Sequence, residues 1–282
     1  MKKPETLGRD PKSDYDLAIK RRSAASAELL LEVRDRVFSE YWRYFHLIAS
    51  ESAKGSKSAM TGTRHGGALI GNYRLMDSGR PLDGIRMDVI QSAFLALCWM
   101  CEAATAITVD HFLPKSRFPE FSILYFNLLP VCSECNNNKR DRIFSPKIRF
   151  GHPYVTQDLV EELPWLDCVV GIQDSEVTIK FRILKSADYF DELQDAFTAL
   201  KLERRYQALA IQEVYNIVDE VNNLGVPAIV ARGAIDLSRR AVVLEMRYGH
   251  DYWKVPLLKA LDRCDDFWTD CILSAQGYPF GL

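Results

Sequence analysis

The sequence predicts an α+β protein, and three observations carry that expectation. Apolar residues recur at three- and four-residue steps before residue 98 and again after residue 186. Strand-like patterns are confined to the middle of the chain. Two Cys-x-x-Cys pairs, Cys98/Cys101 and Cys132/Cys135, bracket one compact segment there. The expected organisation is an N-terminal helical segment over 1–97, a small ββα unit over 98–150, and a hairpin followed by a helical domain over 151–282.

The elements follow in order. Residues 1–13 are polar, contain Pro4, Gly8 and Pro11, and read as a loose arm. From Tyr15 to Ser50 the pattern is helical, with Leu29, Leu30, Val33, Val37, Tyr41, Tyr44 and Phe45 on the apolar face. Residues 53–72 are rich in Gly, Ser and Thr and read as a loop, with His65 a solvated side chain beside Arg64. A second helix, 83–97, leads into Cys98. Beyond the cysteine-bracketed stretch, Pro146, Pro153 and Pro164 exclude long helices. WLDCVVGIQ and EVTIKFRIL read as two strands joined by a turn at Gln173-Asp174-Ser175. Helices are then expected over 187–201, 203–223, 226–248 and 251–274, with breaks at Gly225-Val226-Pro227 and Gly249. Trp165, Trp253 and Trp268 have apolar neighbours and read as core. Cys168 reads as buried and inert, and His152 as a packing residue.

Composition narrows the class. The chain has 282 residues, is 48% hydrophobic and carries a formal charge of -2. It can bury a core and does not advertise a polyanionic partner through its total charge. Seven cysteines, four of them in two close pairs, fit metal-bound thiolates in a reducing compartment better than a disulfide scaffold. No apolar run follows the first lysines and none is long enough to span a bilayer. The expected location is therefore the cytoplasm, with no membrane association.

A Cys-x-x-Cys sets two thiolates on one tight knuckle. Two knuckles with 30 residues between them complete a closed four-sulfur site suited to structural Zn²⁺. Such an ion would clamp a segment that has little core of its own. The alternative, redox chemistry at either pair, requires a metal-free dithiol.

Between the knuckles, TAITVDHF reads as a strand ending in Asp110-His111. Asn127 precedes Leu128-Leu129, and Asn136-Asn137-Asn138-Lys139-Arg140 follows Cys135 directly. On a helix Asn136, Lys139 and Arg140 would lie at i, i+3 and i+4, on one face. The elements DHFLPKS, NLLP and CSECNNNK resemble the HNH endonuclease family, in its branch with a Cys-x-x-Cys on each side of the Asp-His pair. The resemblance covers about 45 residues. It implies a ββα-metal (His-Me finger) core in which His111 is the general base and Asp110 a ligand of the catalytic cation. Asn127, 16 residues after His111, takes the family's central Asn position and holds the loop carrying His111. Asn136, nine residues further, stands where the family has His or Asn, so the chain is a His-Asn-Asn variant. Similar bacterial proteins include anti-phage defence components, some acting alongside an ATPase, which makes such a partner an expectation here.

The chemistry matches those residue types. Phosphodiester hydrolysis needs an activated water and a cation at the phosphate. An ordinary imidazole is mostly neutral near pH 7, so cleavage is expected to rise through pH 6 to 7. One carboxylate oxygen from Asp110 and one amide oxygen from Asn136 suit Mg²⁺ or Mn²⁺. Lys139, Arg140 and Lys115 are candidates for substrate phosphate. From His111 to Arg149, seven basic residues (Lys115, Arg117, Lys139, Arg140, Arg142, Lys147, Arg149) face three acidic ones, a local balance of +4. That is the charge expected of a surface for DNA. The competing reading is a non-catalytic zinc ribbon that binds nucleic acid or docks a partner. The helical tail is expected to offer a surface for a homo-oligomer or that partner.

Overall fold

The computed structural model describes residues 8–155, 164–173, 176–225 and 228–272. The first seven residues of the expected N-terminal arm, the hairpin turn at 174–175, Val226-Pro227 and the last two residues of the expected 251–274 helix lie outside them. The protein is mixed α and β, mostly helical, with two small two-stranded sheets and a buried four-cysteine cluster. It divides into two compact units, residues 2–160 and 161–282. Among the described residues no helix is long and apolar enough to cross a membrane.

In the first unit the expected helical stretch from Tyr15 to Ser50 becomes three helices, α1 (Pro11–Lys20), α2 (Ala24–Glu32) and α3 (Arg34–Ala49). Asp10 caps α1 by accepting from the Lys12 and Ser13 N–H groups. Non-helical backbone at Arg21 and Val33 separates the three. Continuous apolar periodicity hides such breaks, because each helix turns its own stripe to the same core. Tyr15, Leu30, Val37, Leu69, Ile85, Val109 and Leu128 meet there, and the Tyr15 hydroxyl donates to Leu30 O at 2.9 Å.

The region expected to be loop at 53–72 contains α4 (Arg64–Gly71). Its small residues serve packing and capping rather than disorder. The Thr63 hydroxyl caps Gly66 N–H at 3.0 Å, and a Cβ on Gly66 would stand 2.1 Å from Met60 O. Only glycine lets the helix sit that close. His65 pairs with Glu32 at 2.7 Å. Helix α5 (Asp83–Gln91) stops six residues before the expected end, and Leu95 and Ala96 take left-handed backbone on the way to Cys98.

Strands β1 (Thr108–His111) and β2 (Leu128–Val131) pair antiparallel, with Thr108 opposite Val131 and His111 opposite Leu128. Helix α6 (Ser133–Lys139) follows directly and packs on β1, while α5 packs on both strands.

In the second unit β3 (Leu166–Gln173) and β4 (Glu176–Ile183) form the expected hairpin. Asp251 Oδ1 accepts from the N–H groups of Trp165 and Leu166 at 2.9 and 3.0 Å and pins the start of β3. Helices α7 (Phe190–Ala199), α8 (Leu202–Leu224), α9 (Ala228–Ile235), α10 (Leu237–Tyr248) and α11 (Lys254–Arg263) follow. The expected 226–248 helix is split at Asp236, whose left-handed backbone ends α9 and whose carboxylate caps Arg239 N–H at 2.9 Å. The expected 251–274 helix starts at Lys254, breaks at Cys264 and continues as a π-helical turn over Phe267–Cys271. Trp165, Trp253, Trp268 and Cys168 are buried, and burial pushes the Cys168 thiol up to about 12.

Candidate active site and cysteine cluster

Strand β1 delivers Asp110 and His111 into the interior of the first unit, where they are 8% and 4% exposed. The His111 ring has one polar partner, Ser122 O, 2.9 Å from Nε2. A carbonyl only accepts, so Nε2 carries the proton and Nδ1 keeps its lone pair. Burial, reinforced by the positive charge of Lys115, drives the ring's pKa down to about 3. His111 is therefore a neutral base with a defined tautomer. The Tyr73 ring covers it at 4.8 Å between centroids, and Lys115 Nζ lies 4.3 Å above the Tyr73 ring.

Asp110 Oδ1 accepts the His111 N–H at 2.7 Å. Oδ2 is buried and is ion-paired to Lys139 Nζ at 3.1 Å. Burial raises the carboxyl's pKa and Lys139 opposes that shift. Lys139 itself is fully buried and donates to His111 O at 2.7 Å. A buried carboxylate oxygen and a main-chain carbonyl, both facing one ammonium, are the hard-oxygen donor types that fit Mg²⁺ or Mn²⁺.

Asn127 has every hydrogen-bonding position filled. Its Oδ1 accepts from Leu113 N–H at 2.8 Å and from the Tyr44 hydroxyl at 2.9 Å. Its Nδ2 donates to Leu113 O at 3.0 Å and Phe121 O at 3.1 Å. These bonds brace both ends of the loop between β1 and β2, which also carries Ser122. His152 supports the same corner, with Nε2 2.8 Å from Phe126 O and 3.2 Å from the Tyr44 hydroxyl. Burial lowers the His152 pKa to about 4.

Asn136 and Lys139 keep their i, i+3 spacing within α6, whereas Arg140 lies beyond the helix end. Asn136 is half-buried, Lys139 is buried, and Arg140 is exposed with left-handed backbone after the helix end. The helix is only seven residues long, so its last turn bends away before an i, i+4 face can form. The basic run disperses likewise. Arg117 donates to the carbonyls of Ala53, Lys54 and Ser56, and Lys147 pairs with Glu51 at 3.1 Å. Arg149 is buried against Glu102 at 3.2 Å and stacks on Trp99. Arg140 and Arg142 remain exposed.

The four cysteines converge. The Sγ atoms of Cys98, Cys101, Cys132 and Cys135 all lie within 4.8 Å of one another and are buried. Cys101 and Cys132 are 3.9 Å apart. A tetrahedral ion with bonds of about 2.3 Å separates its sulfurs by about 3.8 Å, so the set suits zinc. The Trp99 N–H donates to Pro130 O at 2.9 Å and ties the first knuckle to β2, while Cys132 caps α6. Hydrogen bonds from Cys101, Cys135 and Cys98 hold the Cys132 thiol far below its ordinary range.

Against known proteins, a stretch of 155 residues, 53% of the chain, is 23% identical to protein ea31 of Escherichia phage lambda and covers 52% of it. A shorter stretch of 57 residues, 18% of the chain, is 33% identical to Septu protein PtuB of Bacillus thuringiensis and covers 22% of it. The chain thus spans about half the length of the first relative and less of the second. No family model and no solved structure matches it.

Sequence reasoning did not single out Tyr73, Ser122 or Tyr44 as parts of the site. Ser122 acts through its main-chain oxygen, which no residue type announces. Tyr73 lies in the stretch that reads as a loop and its flank.

Two outcomes follow from this geometry. Asn127→Ala removes four buried hydrogen bonds, leaves the Leu113 N–H and carbonyl without their partner, and should cost about 3–5 kcal/mol in urea unfolding; a loss under about 1 kcal/mol would disprove the brace. Between pH 6.5 and about 4 the unfolded chain binds protons that His111 and His152 refuse. Their stabilisation is complete above 6.5 and falls on acidification by up to about 1.4 kcal/mol per pH unit per ring. Asp110 and Glu120, raised by burial, act in the opposite sense nearer the carboxylate range. Comparing wild type with His152→Gln isolates one ring, and the variant should show the shallower acid slope.

Proposed function

We propose that the protein is a metal-dependent endonuclease of the HNH type that hydrolyses phosphodiester bonds in DNA. The observation that carries this reading is the His111 imidazole, held neutral with Nδ1 as its lone-pair nitrogen, beside the buried Asp110 carboxylate that Lys139 pairs at 3.1 Å. The family resemblance supplies the reaction class. The distant similarity to protein ea31 and Septu protein PtuB supports the same direction.

In this reading His111 Nδ1 takes a proton from the attacking water, and the Ser122 carbonyl steadies the imidazolium that results. Asp110 and Asn136 hold Mg²⁺ or Mn²⁺, which when bound offsets charge at the scissile phosphate. Asn127 keeps His111 and Ser122 in register. Arg140 and Lys115 contact the substrate backbone. The four cysteines hold one structural Zn²⁺. The setting is cytoplasmic anti-phage defence, with an ATPase as partner and the helical second unit as the docking or self-association surface.

His111→Ala and Asp110→Ala should each reduce plasmid cleavage by at least about 100-fold, with zinc near one ion per chain in all samples. The lowered pKa revises the pH dependence expected from an ordinary imidazole. His111 is already neutral at pH 5, so its ionisation should add no inflection between pH 6 and 7. Folded, zinc-loaded protein that binds DNA in a salt-sensitive manner and cuts no nucleic acid, with either metal or with an ATPase partner, would leave the non-catalytic zinc ribbon as the function.

A further inference from the structure

Lys139 is the only charged side chain among the described residues that is both fully buried and seated between two oxygens of the candidate site. Its ammonium lies 3.1 Å from Asp110 Oδ2 and 2.7 Å from His111 O. Those are a carboxylate and a carbonyl, the donor types that a hard divalent cation takes. Helix α6 ends at this residue, and the left-handed turn at Arg140 sends the next side chain out to solvent. The turn therefore separates one buried cation from one exposed cation. A lysine carried on a solvated helix face would have chosen water instead.

We infer that Lys139 is the site's built-in cation, a positioning residue that holds Asp110 and the His111 main chain before a divalent ion arrives and weakens the affinity for that ion. The inference rests on the reading of Asp110 as a metal ligand. A buried carboxylate without a counter-charge is costly, so Lys139 keeps the apo site folded. A second cation at Asp110 must share that carboxylate with an ammonium already 3.1 Å from it. Repulsion between the two is strong where water is excluded. The ion is thus bound firmly only when another negative group enters, and the substrate phosphate is that group. Lys139 in this way ties metal capture to substrate capture and keeps the site idle when either is missing.

The test is the affinity of the full-length, zinc-loaded chain for Mn²⁺, read from the free Mn²⁺ electron paramagnetic resonance signal without nucleic acid. Lys139→Met, similar in length and uncharged, should bind Mn²⁺ at least about tenfold more tightly than wild type, and adding Asp110→Asn to it should abolish the gain. Lys139→Arg, which keeps the charge, should bind no more tightly than wild type. Equal or weaker binding by folded Lys139→Met overturns the inference while leaving Asp110 as a ligand. If Asp110→Asn leaves Mn²⁺ binding unchanged in both backgrounds, the ligand assignment falls and the inference with it. Should Lys139→Met not fold, wild type decides. The ¹⁵Nζ signal of the buried Lys139 should shift as Mg²⁺ is titrated to saturation, and an unmoved signal at saturation is the contrary result.

Discussion

The first unit depends on the hydrogen bonds of one buried side chain, Asn127. An asparagine amide has two donors and two acceptor positions, and here all four are used inside the protein. Leu113 is gripped at both its N–H and its carbonyl, so the amide imitates a missing strand partner where the ladder of β1 and β2 ends. A sixteen-residue excursion is thereby closed with only two single-turn 3₁₀ helices, Pro119–Phe121 and Tyr125–Asn127, of its own. What it carries is fixed as a consequence. Ser122 O meets His111 Nε2 because the loop returns along one path, and the Tyr44 hydroxyl couples that path to α3.

Charge in the interior follows from the same closure. Excluding water makes the neutral imidazole the favoured form of His111 and leaves Asp110 in need of a counter-ion. Lys139 supplies it from the end of a helix too short to present a polar face. The cysteine cluster sets where that helix starts, since Cys132 caps it and Cys135 lies in its first turn. The sulfur cluster and the Asp110–Lys139 ion pair are thus two ends of one short lever: the knuckle fixes the beginning of α6, and the buried lysine fixes its end against β1. Movement at the thiolates would be felt at Asp110.

The basic residues teach a separate lesson. Seven of them against three acidic residues look like a surface for a polyanion when counted along the chain. In three dimensions Arg117, Lys147 and Arg149 are engaged with carbonyls, Glu51 and Glu102, and Lys139 is buried. Sequence proximity measures charge per residue, whereas a phosphate backbone responds to charge per area of exposed surface.

The sequence by itself determined the local and short-range features. The hairpin follows from two strand-like runs around a turn signal, with Val177, Ile179, Phe181 and Ile183 alternating along β4. The convergence of four cysteines follows from paired spacing, since a tight knuckle leaves its two sulfurs little freedom. Buried Trp165, Trp253 and Trp268 follow from apolar neighbours. Helix ends and the glycine-rich α4 were less legible, because a cap such as Asp236 or a close approach such as Gly66 to Met60 O declares itself only once its partner is placed. Tertiary structure alone decided the protonation of His111, the partner of Asp110 and the burial of Lys139. The physical reason is common to all three: pKa and pairing depend on the exclusion of water and on atoms remote in sequence, and neither is encoded in the spacing of the residues that respond to them.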